Sequence, residues 1–242
     1  MKWCVALVVV VLVVVVASKK ETVRDEPEAV PPAVLHQTWK VKELSEMDAA
    51  TADGVRSWQV VNPNLRQILY DDQDCAEFIR QHYPEYAGLY FDKLKRPVER
   101  ADVFRYLVVH KYGGWYADID TTARKPLSDL SGDLVVAKEF EQPGGGYQVL
   151  QYFFGATPRH PFFVDVLLPM IEERVEQYDE LRESNPDLWV LTCTGPYVFT
   201  AALERYGHVD VLPVCTFGAY QTDCGGYLDH HFSGTWKSNW RT

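Results

Sequence analysis

The chain has 242 residues, is 47% hydrophobic and 13% aromatic, and carries a formal net charge of -10. That is a globular composition, and with no basic stripe interleaved with aromatics it argues against nucleic acid as a partner, since such binding depends on Lys and Arg neutralising phosphates. An acidic chain that binds a nucleotide diphosphate needs local positive charge, which a metal ion can supply.

Residues Trp3 to Ala17 are apolar without interruption, with Lys2 before them and Ser18-Lys19-Lys20 after. A bilayer core needs about 20 residues, so this run is short for a span. A cleavable signal peptide, with Val15 and Ala17 as the small residues of a cleavage site, accounts for it; so does a signal anchor in a thin early-secretory membrane. Residues 19–32 are charged and Pro-containing and read as a stem. The expected division is a leader over 1–18, a stem over 19–32 and one α/β domain over 33–242. Cys4 lies in the apolar run; Cys75, Cys193, Cys215 and Cys224 are free or paired, and Cys215 and Cys224 are near enough in sequence to close a loop.

Within the domain, Val34 to Trp39 reads as a short strand and its exit loop, Lys42 to Val61 as helical, and Arg66 to Tyr70 as a second strand. Asp71 and Asp72 are N-cap candidates for a helix over Gln73 to His82. Pro97 opens a helix that runs to about Lys111 and ends at Gly113-Gly114. Trp115 to Ile119 reads as the next strand, ending in Asp118-Ile119-Asp120. Leu134 to Phe140 is a buried-strand pattern, Gly144 to Gly146 a flexible loop, and Gln151 to Ala156 strand-like. Pro161 to Gln177 and Pro196 to Tyr206 are helical, and Val209 to Val214 reads as a final strand. Alternating short strands and helices predict an α/β domain with a mainly parallel central sheet.

The chemistry concentrates between Arg100 and Asp120. Two carboxylates at a buried strand end carry a desolvation penalty. A D-x-D triplet alone says little, since on the order of one arises by chance in such a chain. On a strand, however, residues i and i+2 point the same way, so Asp118 and Asp120 could face one hard cation. The alternative is a solvated strand end whose Asp residues cap a turn. Asp102 and Arg105, one helical step apart, share a face and are either a surface ion pair or cleft residues. Trp39 leaves a strand at the rim where open α/β sheets bind ligands, and is either a base-stacking or a sheet-covering side chain. The C-terminal His230-His231-Phe232-Ser233-Gly234-Thr235-Trp236 is too rich in His and Trp for an idle tail.

Five stretches then converge: VLHQTWK from Val34, RPVERADVFRYLVVHKYGGWYADIDTTARKPL from Arg96, QYFFGATPRHPFF from Gln151, TGPYVFTAAL from Thr194 and HHFSGTW from His230. They resemble successive motifs of the DXD-containing glycosyltransferases of family 32, which include fungal initiating α-1,6-mannosyltransferases and inositol-phosphoceramide mannosyltransferases. The resemblance implies a GT-A type nucleotide-binding sandwich and a retaining transferase that uses a sugar nucleotide with Mn²⁺ or Mg²⁺. It implies Asp118 and Asp120 as metal ligands with one histidine of the His230–His231 pair, taken as His231, and Asp102, Arg105, Asp118 and Asp120 as the catalytic set. His36, Trp39, Asp102, Arg105, Tyr112, Gly114, Asp118 and Trp236 become the donor-binding residues. The implied donor is GDP-mannose, with UDP-galactose or UDP-N-acetylglucosamine as alternatives, and the implied acceptor is a glycan or sphingolipid. Pro143 to Tyr147 and Asp179 to Leu188 are the loops expected to meet that acceptor. A lumenal domain of the ER or Golgi is implied, held to the membrane by the N-terminal segment if uncleaved, or secreted if cleaved. A non-catalytic sugar binder on the same scaffold is the reading from another class; a two-metal phosphodiesterase would want more clustered His and Asp than this chain has.

Overall fold

The computed structural model describes residues 29–218, 225–234 and 237. The expected leader, residues 19–28 of the expected stem, Cys224 and Trp236 lie outside the described residues. Among the described residues no helix is long and apolar enough to cross a membrane.

The chain begins with β1 (Val34–Thr38), passes a short 3-10 turn, and enters α1 (Ala49–Val61). The helical stretch is thus shorter than the periodicity from Lys42 suggests, because Asp48 caps it by accepting from the Thr51 amide. β2 (Arg66–Tyr70) follows, then α2 (Asp72–His82), α3 (Pro97–Tyr112) and β3 (Gly114–Ala117). Asp71 caps α2 in a reciprocal capping box with Asp74. Gly113, at φ +67°, ends α3. Gly114, at φ +93°, leaves no room for a side chain, since a Cβ there would stand 2.5 Å from the Val34 carbonyl oxygen. After β3 come β4 (Thr121–Ala123), β5 (Leu134–Val135), β6 (Lys138–Glu141), β7 (Tyr147–Val149) and β8 (Phe153–Ala156). A π-helical stretch leads into α4 (Leu168–Gln177), followed by α5 (Asp179–Ser184), α6 (Pro186–Cys193), α7 (Pro196–Tyr206) and β9 (Leu228–His230).

The central sheet has the order β2-β1-β3-β8-β5. β1 is parallel to both β2 and β3, while β8 runs antiparallel to β3 and to β5, so one strand of the five is reversed. The sheet is therefore mainly parallel. Alternate side chains separate its two faces: Tyr116 and Phe154 join the core under α2, α3, α4, α6 and α7, whereas Trp115, Ala117 and Phe153 join the core under α1. On the second face Trp58 and Trp115 both stack on Phe153 at 5.5 Å and 13°. Burial on both faces makes the strands short apolar runs rather than alternating ones.

Three further expected elements differ. Leu134 to Phe140 splits: β5 stays in the central sheet and β6 leaves it to pair with β7. Val209 to Val214 is not a strand; a single bridge joins Leu212 to Ala137. Asp179 to Leu188, expected as an acceptor-facing loop, holds α5 and the start of α6. Among the cysteines, Cys75 and Cys193 are buried free thiols and Cys215 is disulfide-bonded.

His36 lies fully buried in the middle of β1. Its Nε2 faces the Gly113 carbonyl oxygen at 3.1 Å and therefore carries the proton, leaving Nδ1 to accept from the Tyr70 hydroxyl at 3.0 Å. Burial lowers its pKa to about 4, against the Gly113 hydrogen bond, which raises it. The unfolded chain takes up this proton first, so the contribution is complete above about pH 6.5 and is lost as pH falls toward 4. Urea denaturation should show stability falling by about 3 kcal/mol over that interval. In His36→Gln that part of the acid slope should be missing; an unchanged slope would remove His36 from the account.

Candidate functional site

Asp118, Ile119 and Asp120 occupy the turn between β3 and β4, not the strand itself. The carboxylates converge because the chain turns, and the two-residue strand period is not what brings them together. The turn is pinned by its own backbone. The Asp118 amide donates to the Tyr152 carbonyl at 2.8 Å. The Asp118 carbonyl accepts from Thr121 Oγ1 at 2.6 Å and from Gln37 Nε2 at 3.4 Å. Thr121 in turn receives Trp58 Nε1 at 3.2 Å, which fastens the turn to α1. α1 can lie this close because Gly54 presents no Cβ, which would meet the Thr121 carbonyl oxygen at 2.8 Å.

The tail completes the cluster. β9 pairs antiparallel with β4, setting His230 opposite Thr121. Ligand atoms of Asp118, Asp120 and His230 all lie within 4.8 Å of one another. His230 Nε2 is 3.2 Å from Asp120 Oδ1, and its ring stacks on Tyr152 at 4.0 Å. Asp120 Oδ2 accepts from the Ser233 amide at 2.9 Å and from its hydroxyl at 2.7 Å. The expectation put His231 beside the carboxylates; the structure puts His230 there. His231 Nε2 is instead 2.8 Å from Thr122 Oγ1 on the exposed side, because neighbouring residues of an extended chain face opposite ways.

Behind the turn sits the α3 pair. Asp102 is 1% exposed and Arg105 5%. Arg105 bridges Asp102 Oδ1 at 3.1 Å and Asp118 Oδ1 at 3.3 Å, donates to the Gln151 carbonyl at 3.2 Å, and covers the Tyr116 ring at 4.7 Å. Asp102 also accepts from Gln151 Nε2 at 3.2 Å and Thr194 Oγ1 at 2.7 Å. The Tyr106 hydroxyl binds Gln151 Oε1 and the Thr194 carbonyl. Asp102 is thus enclosed against Arg105, whose Nε is a buried donor with no partner among the described residues.

Burial dominates the titration here. It pushes Asp102 up to about 6, against the pull of Arg105. Burial also raises Asp118, opposed by Arg105 and reinforced by the Asp120 charge. For Asp120 burial acts upward too, but the His230 and Ser233 hydrogen bonds outweigh it and hold the carboxyl well below the usual range. Burial works against the Arg105 charge, and Asp118, Tyr116 and Asp102 more than offset it.

The remaining predicted residues divide. Trp39 stands at the same carboxyl rim, after β1, with its buried Nε1 lacking a partner among the described residues and Lys40 5.4 Å above its ring. His36 is a satisfied core residue. Gly114 starts β3, at the end away from Asp118, and its role is close packing on Val34. Tyr112 is 44% exposed on the α2 flank, where with Lys42, Tyr70, Phe78 and His82 it lines an open groove of about 320 Å³. Gln151, Thr194, Tyr106 and Ser233 carry site contacts without having been singled out. All four lie in the quoted motif stretches, which is the signal that could have found them.

Long-range ion pairs hold α5 and α6 over the start of α3. Arg182 grips the fully buried Glu99 with 2.8 and 2.9 Å contacts and lies 3.5 Å from the centre of the Trp189 ring. Arg96 reaches the Pro186 carbonyl and Asp187. Glu99→Ala should cost about 3 kcal/mol in urea denaturation, because a buried partner loses its compensation. A loss under 1 kcal/mol would mean that α5 is held by other contacts.

A model of glycosyltransferase sugar-binding regions containing the DXD motif matches residues 48–139. The initiation-specific α-1,6-mannosyltransferase of Candida albicans is 31% identical, over 86% of this chain and 72% of its own length. The chain is a DXD glycosyltransferase family member. Inositol phosphoceramide mannosyltransferase 2 of Schizosaccharomyces pombe is 28% identical over 88% of this member, and mannosyl phosphorylinositol ceramide synthase SUR1 of Saccharomyces cerevisiae is 29% identical over 72%. The chain spans 60% and 42% of the lengths of these two relatives. Among solved structures the PaToxG glycosyltransferase superposes with a TM-score of 0.51 at 19% identity, covering 75% of this chain and 72% of that one. That likeness places the member in the GT-A fold.

Proposed function

We propose that this family member is a retaining, metal-dependent glycosyltransferase that moves mannose from GDP-mannose to a hydroxyl of a glycan or a glycosylinositol sphingolipid. The observation that carries the reading is the cluster of Asp118, Asp120 and His230 beside the buried Asp102–Arg105 pair. Two carboxylates and one imidazole form an oxygen-rich donor set that suits Mn²⁺ or Mg²⁺. The unpartnered donors Arg105 Nε and Trp39 Nε1 stand near or at the same rim and suit the oxygens of a sugar and a nucleotide. Asp118, Asp120 and His230 would hold the ion, which supplies Lewis-acid stabilisation of the departing diphosphate.

The chain's own residues do the rest. Asp120, kept ionised by His230 and Ser233, provides a fixed negative charge. Arg105, held by Asp102, Gln151 and Asp118, presents Nε toward the donor sugar in a site whose dipoles are set before substrate arrives. Asp102, Thr194 and Gln151 orient Arg105 and do not touch the sugar. Trp39 lies against the base. Among the described residues the site's carboxylates, Asp102, Asp118 and Asp120, are engaged by Arg105, His230 and Ser233 rather than free as nucleophiles, so attack comes from the leaving-group face. The acceptor hydroxyl oxygen bonds to C1, the C1–O bond to the diphosphate breaks, and the proton passes to a diphosphate oxygen. The N-terminal apolar segment would direct the domain into the secretory pathway.

The test is a panel of GDP- and UDP-sugars with Mn²⁺, offered inositol phosphoceramide and methyl α-mannoside and read by mass spectrometry. A mannosylated product from GDP-mannose, lost on chelation, supports the reading. Transfer from a UDP-sugar would keep the enzyme and change its donor; no transfer and no metal-dependent nucleotide binding would leave a non-catalytic scaffold.

A further inference from the structure

His230 differs from the two carboxylates of the cluster in how it is held. Its Nε2 meets Asp120 Oδ1 at 3.2 Å, but the opposite nitrogen, Nδ1, is buried and has no partner among the described residues. An imidazole that ligates a metal almost always donates that second nitrogen to a carboxylate, a carbonyl or water, and this fixes the plane of the ring. At His230 the plane is set by something other than a hydrogen bond.

Two aromatic rings stand against it. Tyr152 stacks on the imidazole with centroids 4.0 Å apart and planes 30° apart, and Phe232 approaches it to 4.0 Å at 53°. Tyr152 and Phe232 meet edge to face, 5.9 Å apart at 82°. Phe232 has φ +48°, in the left-handed region that a bulky side chain rarely adopts, and such a conformation persists only where its surroundings hold it. This turn sets the Phe232 ring against His230 and brings Ser233 to Asp120.

Tyr152 anchors the group. It is 4% exposed, and its carbonyl accepts from the Asp118 amide at 2.8 Å. Its hydroxyl donates to the Gly218 carbonyl, in a segment packed against the Leu228 carbonyl at the start of β9. One residue thus touches the backbone of Asp118, the side chain of His230 and the support of the strand that carries His230.

We infer that Tyr152 is a positioning residue for the metal: its ring, together with that of Phe232, sets the plane of the His230 imidazole in place of a hydrogen bond to Nδ1, and so sets how tightly the cluster holds a divalent cation. This rests on the metal-dependent reading above. The task belongs to the ring; the Tyr152 hydroxyl ties down Gly218.

The experiment uses the full chain with GDP and Mn²⁺. Mn²⁺ affinity at saturating GDP is read from the electron paramagnetic resonance signal of the free ion, and GDP affinity without metal from calorimetry. Tyr152→Leu removes the stacking ring, and Mn²⁺ affinity should fall on the order of 10–100-fold, as it does when other groups that orient a ligand are lost. Tyr152→Phe keeps the ring and should restore nearly all of that affinity. GDP binding without metal should be the same in both variants as in the wild type, and melting temperatures should show that both fold. The spin-echo spectrum of bound Mn²⁺ should carry nitrogen modulation from the imidazole in the wild type and in Tyr152→Phe, and lose it in Tyr152→Leu as in His230→Ala. Should Tyr152→Leu fail to fold, Phe232→Leu, at a partly buried position, reads the same metal-selective loss to a smaller degree. Unchanged Mn²⁺ affinity in the folded leucine variant overturns the inference, and so does an equal loss in Tyr152→Phe, which would assign the effect to the Gly218 contact. A wild-type chain that binds GDP but no Mn²⁺ would instead overturn the metal reading beneath it.

Discussion

Asp120→Ala is expected to abolish turnover, by on the order of 10³-fold or more, together with the Mn²⁺-dependent part of donor binding. The two losses should be coupled because one carboxylate serves both. Its Oδ1 meets His230 and its Oδ2 meets Ser233, so it also fastens the tail across the site. Asp120→Asn keeps the shape and removes the charge, so it should retain much of the tail packing and still fail to bind Mn²⁺. Calorimetric titration of GDP with and without Mn²⁺ separates the cases. Metal-stimulated activity surviving in Asp120→Ala would take this carboxylate out of the mechanism.

The second large effect falls on Arg105. Arg105→Ala strands the buried Asp102 and the half-buried Asp118 as uncompensated carboxyls, and should cost about 3 kcal/mol of stability by urea denaturation. Arg105→Lys restores a cation but not the fork that reaches Asp102, Asp118 and the Gln151 carbonyl at once. It should recover much of the stability and still bind GDP-mannose more than tenfold weaker, while GDP alone weakens far less. Equal weakening of GDP and GDP-mannose in Arg105→Lys would assign Arg105 a structural task only.

Much of the frame could be read from residue order because its signals are local. β1 and β2 have the bounds that their apolar runs suggest. α2 and α3 begin and end where Asp71, Pro97 and Gly113 place them, since capping is settled within four residues. What escaped depends on distant partners. Val209 to Val214 alternates as a strand should, but only Leu212 finds a partner, and Pro213 has no amide to continue a ladder. α5 buries no side chain of its own, and its place is set by Arg182 reaching Glu99, 83 residues away in sequence. The choice between His230 and His231 turns on the pairing of β9 with β4 and on a turn at Asp120, neither of which neighbouring residues encode. Gly114 and His36 share motifs with site residues, yet the structure employs them in packing. Asp102, Arg105, Asp118 and Asp120 were legible as a set because the motif spans the helix, the glycine turn and the strand that gather them.

The central claim is a divalent cation held at the rim of the sheet by Asp118, Asp120 and His230. Crystals grown with Mn²⁺ and GDP and measured at the manganese absorption edge test it most directly. The account predicts one strong anomalous peak bounded by those three side chains and the diphosphate. A peak elsewhere, or a bound nucleotide with no peak and Asp120 still fully engaged by His230 and Ser233, would contradict it.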